Sequence, residues 1–187
     1  MTKVAVVYHS GYGHTAKQAQ AVATGAESVA GASATLIPVE QIEEHWATLE
    51  AADAIIFGSP TYMGGVSAPF KAFMDASSKP WYARAWKDKI AAGFTNSASQ
   101  SGDKLNTLIQ LAVFAAQHAM IWVGVDILPG NNNSKGSVED LNRLGSFLGA
   151  MAQSNADEPA ELTPPPSDLK TAELLGARVA VTAKRLG

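Results

Sequence analysis

His9, Ser10, Tyr12, His14 and Thr15, interleaved with Gly11 and Gly13, form a run of imidazoles, hydroxyls and permissive backbone. The run directly follows the apolar stretch Val4–Tyr8 and directly precedes an Ala-rich helical segment. A strand that empties into such a turn leaves the first N–H groups of the helix free, and the positive helix end draws a phosphate to them. Two more polar loops, Ser59–Gly65 and Thr95–Gly102, also follow strand-like apolar runs. At the carboxyl ends of parallel strands, three such loops converge on one crevice. Their amides and hydroxyls suit a phosphorylated planar cofactor better than a catalytic side-chain triad.

In the first loop, Ser10 and Thr15 supply hydroxyls, while Gly11 and Gly13 let successive N–H groups converge. Charge neutralisation by dipole and amides, without a lysine, suits a single monophosphate. No Gly-Lys-Ser/Thr follows, so nucleoside triphosphate hydrolysis has no support. The stretch Gly11–Ala16 matches G-x-G-x-x-A and keeps a nicotinamide-binding domain open, although the acid expected for the ribose, Glu40, comes late. In the second loop Pro60 stiffens the exit from a strand, and Gly64 and Gly65 loosen the approach to a helix. Pro60 and Thr61, with the amides of Tyr62, Met63 and Gly64, suit the pyrimidine edge of a flavin. Tyr62 either touches flavin or substrate, or covers the crevice from outside. The third loop contributes Thr95, Asn96, Ser97, Ala98, Ser99 and Gly102, short groups fit to wrap ribityl hydroxyls and the O2/N1 side of an isoalloxazine.

The elements that must position these loops alternate along the chain. Strands are expected at Lys3–Tyr8, Ala34–Val39, Ala54–Gly58, Lys89–Phe94 and Met120–Val123. Helices are expected at Thr15–Val29, Glu43–Glu50, from Ser67 or Pro69, from Asp103 or Lys104 to His118, and from Ser167 or Asp168 to Arg185. The strands read as continuous apolar runs, as when helices cover both faces. This predicts an α/β fold, a five-stranded doubly wound parallel sheet. The excursion Asp126–Pro166 breaks the rhythm, with Asn131–Asn133 and Pro164–Pro166. Ser137 with Asp140 suggests a short helix there, and Gly149–Gln153 a short extended piece; such a stretch reads as a lid or a docking arm.

With 187 residues, the chain reads as one domain, 1–187, with its own core. The absence of cysteine excludes disulfides, thiol nucleophiles and iron–sulfur clusters. The four histidines are scattered without metal-ligand spacing, and a net charge of −3 without a basic cluster speaks against nucleic acid. The first strand begins at once, leaving no room for a signal peptide, and no apolar run reaches membrane-spanning length. A cytoplasmic protein without integral membrane association is expected.

The turn Ser10-x-Tyr12-Gly13-His14, the Pro60-Thr61-aromatic-x-Gly64 arrangement and the Thr95-x-Ser97 opening of the third loop carry a resemblance. The chain resembles the flavodoxin-like, FMN-binding NAD(P)H:quinone oxidoreductases of the tryptophan-repressor-binding-protein (WrbA) type. That likeness spans essentially the whole chain and is weakest between Asp126 and Pro166. The sequence departs from it in having Tyr62 and Met63 where an arginine is usual after Pro-Thr. It also has Ala98–Gly102 where a Thr-Gly-Gly-Gly tract is usual. The resemblance implies sheet order 2-1-3-4-5, bound FMN, NADH or NADPH as donor and a quinone as acceptor, in a two-electron ping-pong cycle. It places His118 at the flavin pocket and Trp81 at the flavin site of a neighbouring subunit, in a homodimer or homotetramer. With Tyr62, these are the expected catalytic side chains. The alternative is a flavodoxin-type electron carrier, though such carriers usually bear a far more acidic surface.

Overall fold

The computed structural model describes residues 1–187. Strands β1 (Thr2–Tyr8), β2 (Ala32–Pro38), β3 (Ala54–Tyr62) and β5 (Ile90–Ser97) form the parallel centre of the sheet, in the order β2-β1-β3-β5. The hairpin strand β4 (Gly65–Val66) pairs antiparallel with the end of β3. Beyond β5 the last strand position is divided. Strand β6 (Ile121–Trp122) pairs with Ile90 and Ala91, and strand β7 (Ala150–Gln153) pairs with Phe94–Ser97. The expected five-strand order is therefore present, with residues 123–149 inserted into its fifth member. Val125 donates its N–H to the Phe147 carbonyl at 2.9 Å, and the Trp122 indole donates to the Leu148 carbonyl at 2.8 Å. These bonds close the base of the insertion.

Two apolar cores lie on the two sheet faces. Helices α1 (His14–Glu27) and α6 (Pro166–Leu186) cover one, through Val22, Ala26, Ala172, Leu175 and Val179 packed on Val4, Val6 and Ile56. Gly25 faces the Glu173 carbonyl and Gly176 the Val22 carbonyl, so closely that neither position has room for a Cβ. The two helices can touch only because both residues are glycine. The opposite core is aromatic: Phe57, Phe70, Phe73, Trp86 and Phe114 meet beneath α3 (Ala68–Ala76) and α5 (Lys104–Gln117). A 3₁₀ turn (Val39–Glu44), α2 (Trp46–Ala51) and α4 (Ser78–Tyr82) complete the connections.

Several expected boundaries shift for identifiable reasons. Strands β3 and β5 run through Tyr62 and Ser97 instead of ending at Gly58 and Phe94. Ser59 and Pro60 pair with Thr95 and Asn96, and β7 continues the ladder on the other side. The hydroxyls that suggested loops are satisfied inside the sheet: Thr61 Oγ1 lies 2.8 Å from both Thr95 Oγ1 and Thr107 Oγ1. The short helix expected after Ser137 is not formed. Asp140 instead accepts the N–H groups of Ser137 and Asn131, closing a turn that holds its carboxyl below the usual range. The helical segment expected at Glu43–Glu50 is broken at His45, between the 3₁₀ turn and α2.

Candidate functional site

The carboxyl ends of β1, β3, β5 and β7 open on a crevice of about 390 Å³. Its walls are Ser10, Gly11, Tyr12, His14 and Thr15 from the first loop, and Pro60, Thr61 and Tyr62 from the second. Asn96, Ser97 and Ala98 come from the third, and Ser154 and Ala156 join from the excursion. Eleven of the expected residues thus converge on one cavity.

Gly13 sits at φ 88°, a left-handed conformation that side chains resist, and there it turns the chain into α1. Ser10 Oγ accepts the Ala16 N–H at 3.1 Å, filling one orphan position of the helix start. The backbone N–H groups of Tyr12, Gly13, His14 and Thr15 find no acceptor within the chain. Four donors, the positive end of a 14-residue helix and a buried Thr15 side chain thus share one small space. A Cβ on Gly11 would stand 2.6 Å from Tyr62 Oη, so the Tyr62 ring can lean on this turn only over a glycine. Burial raises the Tyr62 phenol pKa above its ordinary value and nearby Tyr12 adds to this, while the Gly11 backbone N–H partly opposes it. Tyr62 makes edge contacts with His9 and Tyr12, both at 6.4 Å between ring centroids.

The second loop is a two-residue hairpin turn. Met63 (φ 48°) and Gly64 (φ 79°) are both left-handed, and α5 pins the turn: Asn106 Nδ2 donates to the Gly64 carbonyl at 2.6 Å. Val66 donates its N–H to Gln110 Oε1 at 3.1 Å. The Met63 side chain is fully exposed at the tip. Thr95 lies one layer behind the crevice, in the buried hydroxyl trio with Thr61 and Thr107. Ser99 and Gly102 also stand back from the wall; Ser99 offers its carbonyl to Ser97 Oγ at 3.0 Å.

Two groups escaped the sequence reading. Ser154 donates its N–H to the Ser97 carbonyl at 3.1 Å and its hydroxyl to Asn96 Oδ1 at 2.9 Å. Continuing the short extended piece Gly149–Gln153 to its carboxyl end would have found it, because that end faces the crevice like the others. Just beyond it, His14 Nε2 lies 2.9 Å from the Glu158 carbonyl, and a Cβ on Gly13 would meet Ala160 Cβ at 2.9 Å. Residues 154–160 therefore lie over the first loop. The second group is Lys104, completely buried behind the third loop. No spacing rule pointed to it.

His118 and Trp81 do not reach this crevice within one chain. They line a separate groove of about 490 Å³ between α3, α4 and α5. His118 lies at the far end of α5, roughly 20 Å of helix rise from the third loop. Its ring stacks on Trp86 at 4.1 Å, Nε2 lies 2.9 Å from Ser77 Oγ, and Nδ1 has no partner. Burial lowers its pKa to about 4, so the imidazole is neutral at physiological pH. Trp81 is half-exposed at the groove rim. No cluster of three or more His, Cys, Asp or Glu side chains suited to a metal is present, and no helix is long and apolar enough to cross a membrane.

The family model for NADPH-dependent FMN reductases matches residues 31–133. Flavodoxin FldP of Pseudomonas aeruginosa is 45% identical over 190 residues, covering 100% of this chain and 99% of the relative. An NAD(P)H dehydrogenase (quinone) of Archaeoglobus fulgidus is 34% identical over 209 residues, covering 100% of both chains. Among solved structures, a WrbA-like flavodoxin from Agrobacterium tumefaciens superposes with a TM-score of 0.77 at 46% identity, covering 99% of each chain. The fold, the donor-lined crevice and these likenesses agree: the chain is a flavodoxin-fold oxidoreductase and belongs to the NADPH-dependent FMN reductase family.

Proposed function

We propose that the protein is a single-domain, FMN-dependent oxidoreductase that carries electrons from NADH or NADPH to quinones by a two-electron ping-pong cycle. The observation that carries the reading is the cluster of unpaired N–H donors at Tyr12–Thr15, roofed by residues 154–160 and free of lysine and arginine. That chemistry fits one phosphate monoester of a bound cofactor. FMN, when bound, supplies the electron-accepting ring system. The chain's own residues hold and screen it. Ser10, Gly11, Tyr12, Gly13, His14 and Thr15 bind the phosphate. Asn96, Ser97, Ala98 and Ser154 offer polar groups along the crevice wall, with Thr95, Ser99 and Gly102 shaping that wall from behind. Pro60, Thr61 and Tyr62, with the hairpin tip Met63–Gly64, form the opposite wall, where Tyr62 orients nicotinamide and quinone in turn. Trp81 walls the substrate space, and neutral, buried His118 backs that wall, its ring stacked on Trp86 and its Nε2 on Ser77 Oγ.

Because His118 and Trp81 face a different groove, that last role requires a second copy of the chain against the crevice. The exposed stripe Leu105, Ile109 and Val113 along α5, beside Trp81, supports a homodimer or homotetramer. The lack of cysteine fits the reducing cytoplasm.

A second reading, an electron carrier without nicotinamide activity, draws on the 45% identity to flavodoxin FldP. One experiment separates the two. Under anaerobic conditions, NADH or NADPH should bleach the flavin band of the FMN-loaded protein, and benzoquinone should restore it. Initial rates at varied quinone should give parallel double-reciprocal lines. Failure of both nicotinamides to reduce loaded protein would leave the carrier reading.

A further inference from the structure

Lys104 is the first residue of α5, at the helix end whose dipole already repels cations, and its side chain has no exposure to solvent. A buried ammonium at such a place destabilises the fold unless its three protons are matched. Here they are. Nζ donates to Ser97 Oγ at 2.8 Å, to the Ser99 carbonyl at 2.7 Å and to the Gln100 carbonyl at 2.7 Å. None of these acceptors carries a charge, so the lysine's own charge is left uncompensated at short range. The two charged groups whose fields reach it, Asp168 on α6 and Arg143 in the 123–149 insertion, are already paired with each other through two bonds of 2.8 Å. Asp103, which precedes Lys104, makes no ion pair. Ser97, the residue that Nζ holds, lines the crevice. One side chain therefore separates an uncompensated positive charge from the space where the cofactor binds.

We propose that Lys104 is a positioning residue for electron transfer, one that fixes Ser97–Gln100 against the crevice and favours the charge FMN gains on reduction. The inference rests on the FMN reading above. A hydride from NAD(P)H brings two electrons and one proton, leaves NAD(P)⁺, and adds one negative charge to FMN. A cation behind the wall stabilises that form more than the oxidised one.

The test compares wild type with Lys104→Gln, Lys104→Met and Lys104→Arg. Apoprotein is titrated with oxidised FMN, and the midpoint potential of the bound flavin is read by equilibration with a reference dye. Failure of wild type to bind FMN would defeat the cofactor reading itself, independently of Lys104. With FMN bound, the neutral variants should lose affinity for reduced FMN at least tenfold more than for oxidised FMN. That is a fall of about 30 mV for a two-electron couple. Lys104→Arg should hold the wild-type potential. In the FMN-free protein, the Ala98–Ser101 amides should exchange faster in the neutral variants. Neutral variants at the wild-type potential, whatever their affinity for oxidised FMN, would overturn the proposal and leave Lys104 a loop brace. Should circular dichroism show the variants unfolded, the wild-type potential is followed from neutral to alkaline pH. Burial lowers the lysine pKa to about 8, with Asp168 opposing and Arg143 reinforcing the shift. Above that pH, reduction should take up one additional proton per electron pair; an unchanged slope would equally overturn the proposal.

Discussion

Replacing Thr15 by Val isolates the hydroxyl that the first loop presents to a phosphate. The side chain is 2% exposed, lines the crevice and makes no hydrogen bond within the chain. Valine has nearly the same shape, so the packing beside Ser10 and His14 survives and no partner group is left stranded. The FMN-free variant should therefore match wild type in urea unfolding to within about 0.5 kcal/mol. FMN affinity should fall. A hydrogen bond to a charged acceptor contributes about 1.5–3 kcal/mol, a roughly 10- to 150-fold rise in Kd. Thr95→Val provides the contrast. It also removes one hydroxyl, but from the buried trio with Thr61 and Thr107, where Thr61 loses one of its two partners. It should destabilise the apoprotein by about 1–3 kcal/mol while changing FMN affinity much less. Fluorescence titration of FMN and urea unfolding of the apoproteins measure both quantities. Wild-type FMN affinity in Thr15→Val, or a stability loss equal to that of Thr95→Val, would refute the assignment of the free hydroxyl.

Two further outcomes are expected. The folded chain protonates His118 only near pH 4, whereas an unfolded histidine takes its proton near 6.5, so acid favours the unfolded state. Stability should thus fall as pH drops from 6.5 towards 4, by up to about 3 kcal/mol from this group. His118→Gln should remove that part of the slope in urea unfolding, and parallel pH profiles would contradict it. Trp81→Ala should lower the mass seen by light scattering and reduce quinone turnover more than FMN binding; a wild-type monomer with full turnover would end the shared-pocket proposal.

Much of the site was legible because strand-to-turn chemistry is local. The glycine turn at Gly13 and the helix start follow from neighbouring residues, whereas the bond by which Ser10 Oγ accepts the Ala16 N–H was not read from them. The doubly wound parallel sheet was legible through alternation of strand and helix periods, its strand order only through the resemblance. What was not legible depends on partners remote in sequence. Thr61 and Thr95 resemble loop residues until the β3–β5 ladder and Thr107 satisfy their hydroxyls. Lys104 reads as a surface residue in the first turn of a helix, and only the folded third loop supplies acceptors for it. His118 reads as a crevice residue by resemblance, yet α5 carries it to the opposite end of the sheet in its own chain. Helix length, not side-chain type, decides that separation.

The division of the last strand position has a consequence for how the cofactor comes and goes. The roof over the first loop hangs from β7, and its tie to α1, between His14 and the Glu158 carbonyl, joins residues 144 positions apart. Between β7 and α6, residues 154–165 bury little besides Ser154, Thr163 and Pro164, while both apolar cores lie beneath other elements. Loosening that segment breaks a few polar bonds and leaves the sheet intact. The crevice therefore has a door whose hinges, β7 and the start of α6, belong to the rigid frame. FMN held there as proposed would exchange through a local opening far less demanding than global unfolding. Proteolytic nicking between Asn155 and Leu162 should accordingly be fast in the apoprotein and suppressed by FMN, with the remaining fold undisturbed.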